Sequence, residues 1–376
     1  MSTESRIKKE PLFHIAKTSD MPLWQTVLIK AGALAAGLLL SAIICGAVSD
    51  NNPLEFFPNL IKGAFGSERK IGVFFRDMAL LLCVALALLP AFKMKFWNLG
   101  GNGQIMIGCI VTMACIKFLG TRWPGWLVVV TMIAGGVAAG AAWALIPAVF
   151  KALFKTNESL FTLMMNYIAL GLANYFITEY ADGGSNTIKP IKDPALPEIA
   201  GNEYLLIVII VAVITLAMFA YFKFGKHGFE VSVVGESENT AHYVGINVKK
   251  VIIRTMALSG ALCGLVGVLL VGGVNHTITA SSANNMGFTA IMVAWLGKLD
   301  PLVIVISAFF VTFIDKGMSS VNTEFGISSG ATSNIVLGII YFFIIGCEFF
   351  VAYKIKMRDK KTPPYGRKSQ KGGSAK

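Results

Sequence analysis

Long apolar runs separated by short polar punctuation repeat along nearly the whole chain. A helix needs about 20 apolar residues to cross the hydrocarbon core of a bilayer. Nine runs reach or approach that length: Trp24–Val48, Asp77–Phe92, Gly103–Leu119, Trp126–Phe150, Ser159–Thr178, Tyr204–Phe222, Val251–Gly273, Leu302–Met318 and Asn334–Tyr353. A tenth, Phe288–Gly297, is about half as long; it is either a short crossing or a re-entrant segment buried in protein. The pattern predicts an all-α polytopic membrane protein of about ten transmembrane helices, one of them short or re-entrant. It divides the chain into an N-terminal arm (1–23), a membrane domain (24–353) and a tail (354–376). The arm lacks a cleavable signal pattern, so the first run reads as a retained helix. The tail is basic and poor in apolar residues, and is expected to be disordered against anionic lipid heads.

Composition narrows the class further. Of 376 residues 55% are hydrophobic and only 14% charged, where a soluble domain carries about a quarter. The formal net charge of +12 comes from lysines and arginines at span ends and tails. That is the distribution membrane orientation requires, and it points away from nucleic acid. With the N-terminus inside, Lys93 and Lys95, Lys151 and Lys155, Lys223 to Lys250, and Lys298 all fall on the cytoplasmic side, as does the tail. The acidic loop Glu179–Glu203 falls outside. Both termini are cytoplasmic only if Phe288–Gly297 crosses. The misfit is the outside loop holding Lys62, Arg69, Lys70 and Arg76. The six cysteines sit in apolar stretches without a C-x-x-C pair and read as small buried hydrophobes, with no metal or disulfide role.

One polar stretch exceeds what a turn between spans needs. Within 225–250, on the cytoplasmic side, Ser237 can cap a short helix and Gly245 can end it. Ala241, Tyr243, Val244 and Ile246 give this helix an apolar side, while Glu236, Glu238 and Asn239 stay polar. A solvated loop helix without a partner is the plain alternative.

Four stretches carry a resemblance. "HGFEVSVVGESENTAHYVGINVKKVIIRTMALSGALCGLVGVLLVGG" looks like the coupling segment and following span of ABC-importer permeases serving ribose-type sugars and nucleosides. "NLGGNGQIMIG", "TNESLFTLMMNYIAL" and "GFTAIMVAWLGKLDPLVIVISAFF" resemble that branch's other signatures, in family order, between about Phe96 and Phe310. The resemblance implies a permease subunit in the bacterial cytoplasmic membrane with no chemistry and no cofactor of its own. ATP is then hydrolysed by a partner ATPase gripping Glu236, Glu238, Asn239, Ala241, Tyr243 and Gly245. It also implies a second permease, identical or homologous, and an extracytoplasmic substrate-binding lipoprotein. Two positions depart from the family pattern: Ser232 where an arginine is usual, and Asn102 where a glutamate is usual. The absence of G-x-x-x-x-G-K-[ST] excludes this chain as the ATPase.

Polar residues at membrane depth are functional candidates because they are costly to desolvate. Asn98 and Gln104 flank a glycine-rich turn suited to opening a discontinuous helix, as transporters do; gluing helices together is the competing role. A nucleoside or pentose needs hydrogen bonds for hydroxyls, and a base needs a flat face to stack on. Asn166, Tyr167, Phe288 and Trp295 are the residues placed to supply these, with ordinary packing as the alternative. Arg76, Asp77, Asp315 and Lys316 read as interfacial pairs. An ion-coupled transporter would need carboxylates or histidines through the membrane core, and the four histidines all lie in loops or tails. A membrane enzyme acting on lipid would need clustered carboxylates or a metal set, and neither is visible.

Overall fold

The computed structural model describes residues 13–17, 22–181, 187–199, 201–202, 204–327 and 331–357. In chain order the elements are β1 (Phe13–Lys17), α1 (Leu23–Ser49), α2 (Phe56–Phe65), α3 (Glu68–Lys93), α4 (Gly101–Leu119), α5 (Gly125–Phe154) and α6 (Glu158–Tyr180). There follow α7 (Leu205–Phe224), α8 (Lys226–Glu236), α9 (Glu238–Tyr243), α10 (Val248–Leu270), α11 (Met286–Leu296), α12 (Pro301–Glu324), α13 (Ala331–Ala352) and β2 (Tyr353–Met357). Among the described residues eight helices are long and apolar enough to cross a bilayer, and α11 and α13 supply shorter apolar pieces. Every apolar run of the sequence is a helix.

Three helices escape the apolar pattern. α2 is short, and buries Phe56, Asn59, Leu60 and Ala64 where Leu60 meets Gly317 of α12. α3 begins nine residues before the expected Asp77, on a Ser67 cap, so Arg69, Lys70 and Arg76 of the misfit loop extend a helix beyond the membrane. α8 was hidden in the polar stretch before α9.

The chain forms two compact units, residues 42–337 and residues 1–41 with 338–376. In the larger unit α4, α5 and α10 form the heart. Their contact is made by small residues: Gly140 of α5 lies against the backbone of Gly260 and Gly264 of α10, and Gly264 also meets Gly108 of α4. Close backbone approach of this kind substitutes for hydrophobic driving force, which lipid tails do not provide. A β-carbon at any of these positions would fall inside the neighbouring backbone.

In the smaller unit β1 and β2 pair antiparallel, with Phe13 opposite Met357, Ile15 opposite Ile355 and Lys17 opposite Tyr353. Lys354 to Met357 are thus a strand, where a disordered tail was expected from Lys354. The alternation of apolar and basic residues in "YKIKM" suits a strand. The remainder of the expected tail, and the arm before Phe13, lie outside the described residues. Pairing of Lys17 with Tyr353 puts both on one side of the membrane, which requires an even number of crossings between them.

Candidate substrate pathway and coupling surface

Between the end of α3 and the start of α4 the chain runs back into the membrane without helix. Asn98 donates to Ser259 Oγ across 3.1 Å. Ser259 is eleven residues past Val248, or about 16 Å along α10. At this same depth Asn166, about 12 Å into α6, holds the α4 start with both ends of its amide. Its Nδ2 donates to the Leu99 carbonyl at 2.7 Å and its Oδ1 accepts from Gly103 N–H at 2.7 Å. With a hydrocarbon core of about 30 Å, α4 begins near mid-membrane.

α11 begins at the same place. Gly287 N–H donates to Asn102 Oδ1 across 2.7 Å, so two helix N-termini meet there. At its other end Trp295 stacks on Trp97, with centroids 5.5 Å apart, and meets Phe92 edge-on near the Lys93 end of α3. Phe288–Gly297 is therefore half a crossing. The other half is the non-helical segment 276–285, which descends from the outer end of α10. Here α10 closes in a π-turn, Val271–Asn275, and His276, Asn284 and Asn285 take left-handed backbone conformations.

Two cavities flank this descending segment. The inner one, about 390 Å³, is lined by Asn102, Asn166, Tyr167, Asn284, Asn285 and Phe288 among others. The outer one, about 740 Å³, opens at the end of the bundle opposite α8 and α9. Ser281, Asn284 and Asn285 belong to both linings. On the outer wall Lys316 pairs with Asp77 Oδ2, Arg76 Nε bonds Asp77 Oδ1 at 2.6 Å, and Asp315 lies 3.8 Å from Lys316. The Arg76 guanidinium also covers the Tyr204 ring, tying α3 to α12 and to the start of α7.

Of the six residues singled out for the pathway, Asn166, Tyr167 and Phe288 come together on the inner cavity. Asn98 and Gln104 do not reach it: they are 0% and 1% exposed, and Gln104 Nε2 donates to Asn98 Oδ1 at 3.2 Å. They fasten the turn to α10. Trp295 sits at the far end of α11 in an aromatic cluster. Sequence reasoning missed Asn102, Ser281, Asn284 and Asn285 as wall residues. The signal was the polar run "HTITASSANN" between two apolar stretches, too polar for a membrane turn without a water-filled neighbour.

At the opposite end lie α8 and α9, the stretch expected to meet the ATPase. Ser237 caps α9, its Oγ accepting from Thr240 N–H at 3.2 Å, and Gly245 leaves it with φ +81°, a left-handed value that favours glycine. Ala241, expected among the gripped residues, is wholly buried. It joins Val234, Val231, Ala91, Ala148 and Val251 in a cluster uniting α3, α5, α8 and α10. Gly235 rests directly on the Lys93 carbonyl. By contrast Tyr243 is 92% and Val244 65% exposed, and Glu236, Glu238 and Asn239 are exposed beside them. His227 of α8 shares a hydrogen bond of 2.6 Å with Tyr221 Oη through its Nδ1. Burial, with Arg254 nearby, pushes its pKa down against the opposing pull of Glu230.

A membrane bundle with half-helices meeting at mid-depth, polar cavities around them and no soluble domain among the described residues is a transport permease of the multi-pass class. The chain belongs to the family described as branched-chain amino acid transport system / permease component, which matches residues 71–345. It is 30% identical over 345 residues to the guanosine ABC transporter permease protein NupP of Bacillus subtilis, covering 88% of this chain and 97% of that one. It is 30% identical to the nucleoside ABC transporter permease protein NupB of Lactococcus lactis, covering 85% and 91%. The probable riboflavin import permease protein RfuC of Treponema pallidum is 24% identical, covering 75% and 76%. The chain is accordingly a permease subunit of an ABC importer, set in the cell membrane by multiple crossings.

Proposed function

We propose that this permease imports nucleosides. The observation that carries the reading is the inner cavity, where the amides of Asn102, Asn284 and Asn285 stand beside the rings of Tyr167 and Phe288. Asn166 fixes the wall through its bonds to Leu99 and Gly103. A nucleobase offers a flat face and an edge of donors and acceptors, and this combination of rings and amides matches both. The names of the two relatives that are 30% identical along nearly their full length support the same substrate class.

On this reading a separate ATPase grips the exposed Tyr243–Val244 corner and the acidic residues around it. Its closure moves α9, and the buried Ala241 anchor transfers that movement to α3, α5 and α10, because a packed short helix transmits displacement where a loop absorbs it. A second permease closes the membrane-facing side of the pathway, and an extracytoplasmic binding protein delivers substrate to the outer cavity.

Uptake of labelled guanosine by cells carrying or lacking this chain tests the proposal. Uptake that requires the chain and is competed by adenosine and uridine, but not by glucose or riboflavin, is the expected result. Competition by glucose or riboflavin alone would overturn it.

A further inference from the structure

We propose that the outer cavity is a binding site in its own right, taking the furanose hydroxyls of a nucleoside before the base enters the inner cavity. This rests on the nucleoside reading. At about 740 Å³ the cavity is the size of a small-molecule site. Its lining is rich in hydroxyls and amides, with Thr277, Thr279, Ser281, Asn284 and Thr312 facing one volume. The fixed charges on its wall balance, Arg76 and Lys316 against Asp77 and Asp315, so the field favours a neutral ligand over an ionic one.

Thr312 gives the independent sign of a ligand. Threonines inside these helices normally turn their hydroxyls back to the carbonyl four residues earlier. Thr112, Thr162 and Thr215 do so at 2.7, 2.8 and 2.8 Å. Thr312 and Thr255 do not, and each hydroxyl is buried without a hydrogen-bond partner. Of these two, Thr312 lines the outer cavity and is only 3% exposed. A buried hydroxyl left unpaired is unfavourable; a turn of the Thr312 side chain toward the cavity it lines lets a hydroxylated ligand supply the missing partner. Ser281, exposed on the wall shared with the inner cavity, marks where the sugar passes next.

Ligand-dependent thermal stabilisation of the full chain in lipid nanodiscs tests this, titrated with uridine and with 2′,3′-dideoxyuridine. Wild type should respond to uridine at roughly three- to tenfold lower concentration than to the dideoxy compound, as one or two hydrogen bonds allow. Thr312→Val should remove that difference by weakening uridine alone, and Thr312→Ser should restore it. Ser281→Ala, at an exposed position, should narrow the difference in the same direction should Thr312→Val fail to fold. If wild type binds both compounds equally, or Thr312→Val and Ser281→Ala leave the difference intact, the sugar site is wrong while the nucleoside reading stands. If no nucleoside stabilises wild type, both fall together.

Discussion

Gly287 N–H donates to the side-chain oxygen of Asn102 across 2.7 Å, closing the gap between two helices that both start near mid-membrane. The bond bridges 185 residues of sequence and fixes how α11 meets α4. It also makes Asn102 at once a structural strut and part of the cavity wall.

Asn102→Ala should leave Gly287 N–H unpaired, costing about 1–2 kcal/mol, and should lower the melting temperature in detergent. Asn102→Asp keeps an acceptor, and a carboxylate is welcome at helix N-termini; it should melt close to wild type. Equal loss in both variants would remove the strut role.

The Gly140–Gly264 contact predicts a packing failure. Gly264→Leu forces a side chain into the Gly136 and Gly140 backbone and should destabilise by at least about 3 kcal/mol, seen as loss of monodisperse protein on size-exclusion chromatography. Gly338→Leu, where a β-carbon meets nothing within 4 Å, should be recovered in normal yield.

Asp77 holds Arg76 and Lys316 together. Asp77→Asn should lower thermal stability by about 1–3 kcal/mol, because two partly buried cations lose their partner. Combining Asp77→Asn with Lys316→Met should recover only part of that loss, since it removes one of the two cations while Arg76 still lacks its carboxylate.

The low pKa of His227 gives a pH dependence. The folded protein resists protonating His227, whose unfolded pKa is about 6.5. Stability from its neutral form is therefore present above that value and is lost as pH falls below it, toward the lowered folded pKa. Melting temperature measured between pH 5 and 8 should drop on the acid side in wild type, and that part of the drop should be missing in His227→Gln.

Helices of the membrane domain were legible from apolar runs alone because each must satisfy its backbone internally. α2 and α8 were not, since their buried faces are short and interleaved with charge. The α9 helix was readable from Ser237 and Gly245, whose cap and left-handed turn are local chemistry. Its inward face was not: Ala241 and Tyr243 are both apolar candidates in sequence, and only packing against Val234 and Val251 decides which one is hidden. The pathway was half legible. Asn166, Tyr167 and Phe288 stand out as polar or aromatic residues in apolar runs, whereas Asn98 and Gln104 stand out for the same reason and turn out to bond each other. No spacing rule distinguishes an amide facing a cavity from one facing another amide.

Tyr243 and Val244 separate docking from folding. Tyr243→Ala with Val244→Ser should leave the melting temperature unchanged within about 0.5 kcal/mol, as exposed positions do, yet should weaken co-purification of the ATPase at least tenfold, the loss expected when exposed apolar anchors are removed. A co-purification yield matching wild type would move the docking surface elsewhere.

The most direct measurement is guanosine uptake into proteoliposomes holding this permease with its ATPase, partner permease and binding protein. Accumulation that needs ATP inside the complex's nucleotide sites, and stops when the ATPase is made hydrolysis-deficient, is the predicted outcome. Accumulation at an undiminished rate without ATP, driven by an imposed proton or sodium gradient, would contradict the account.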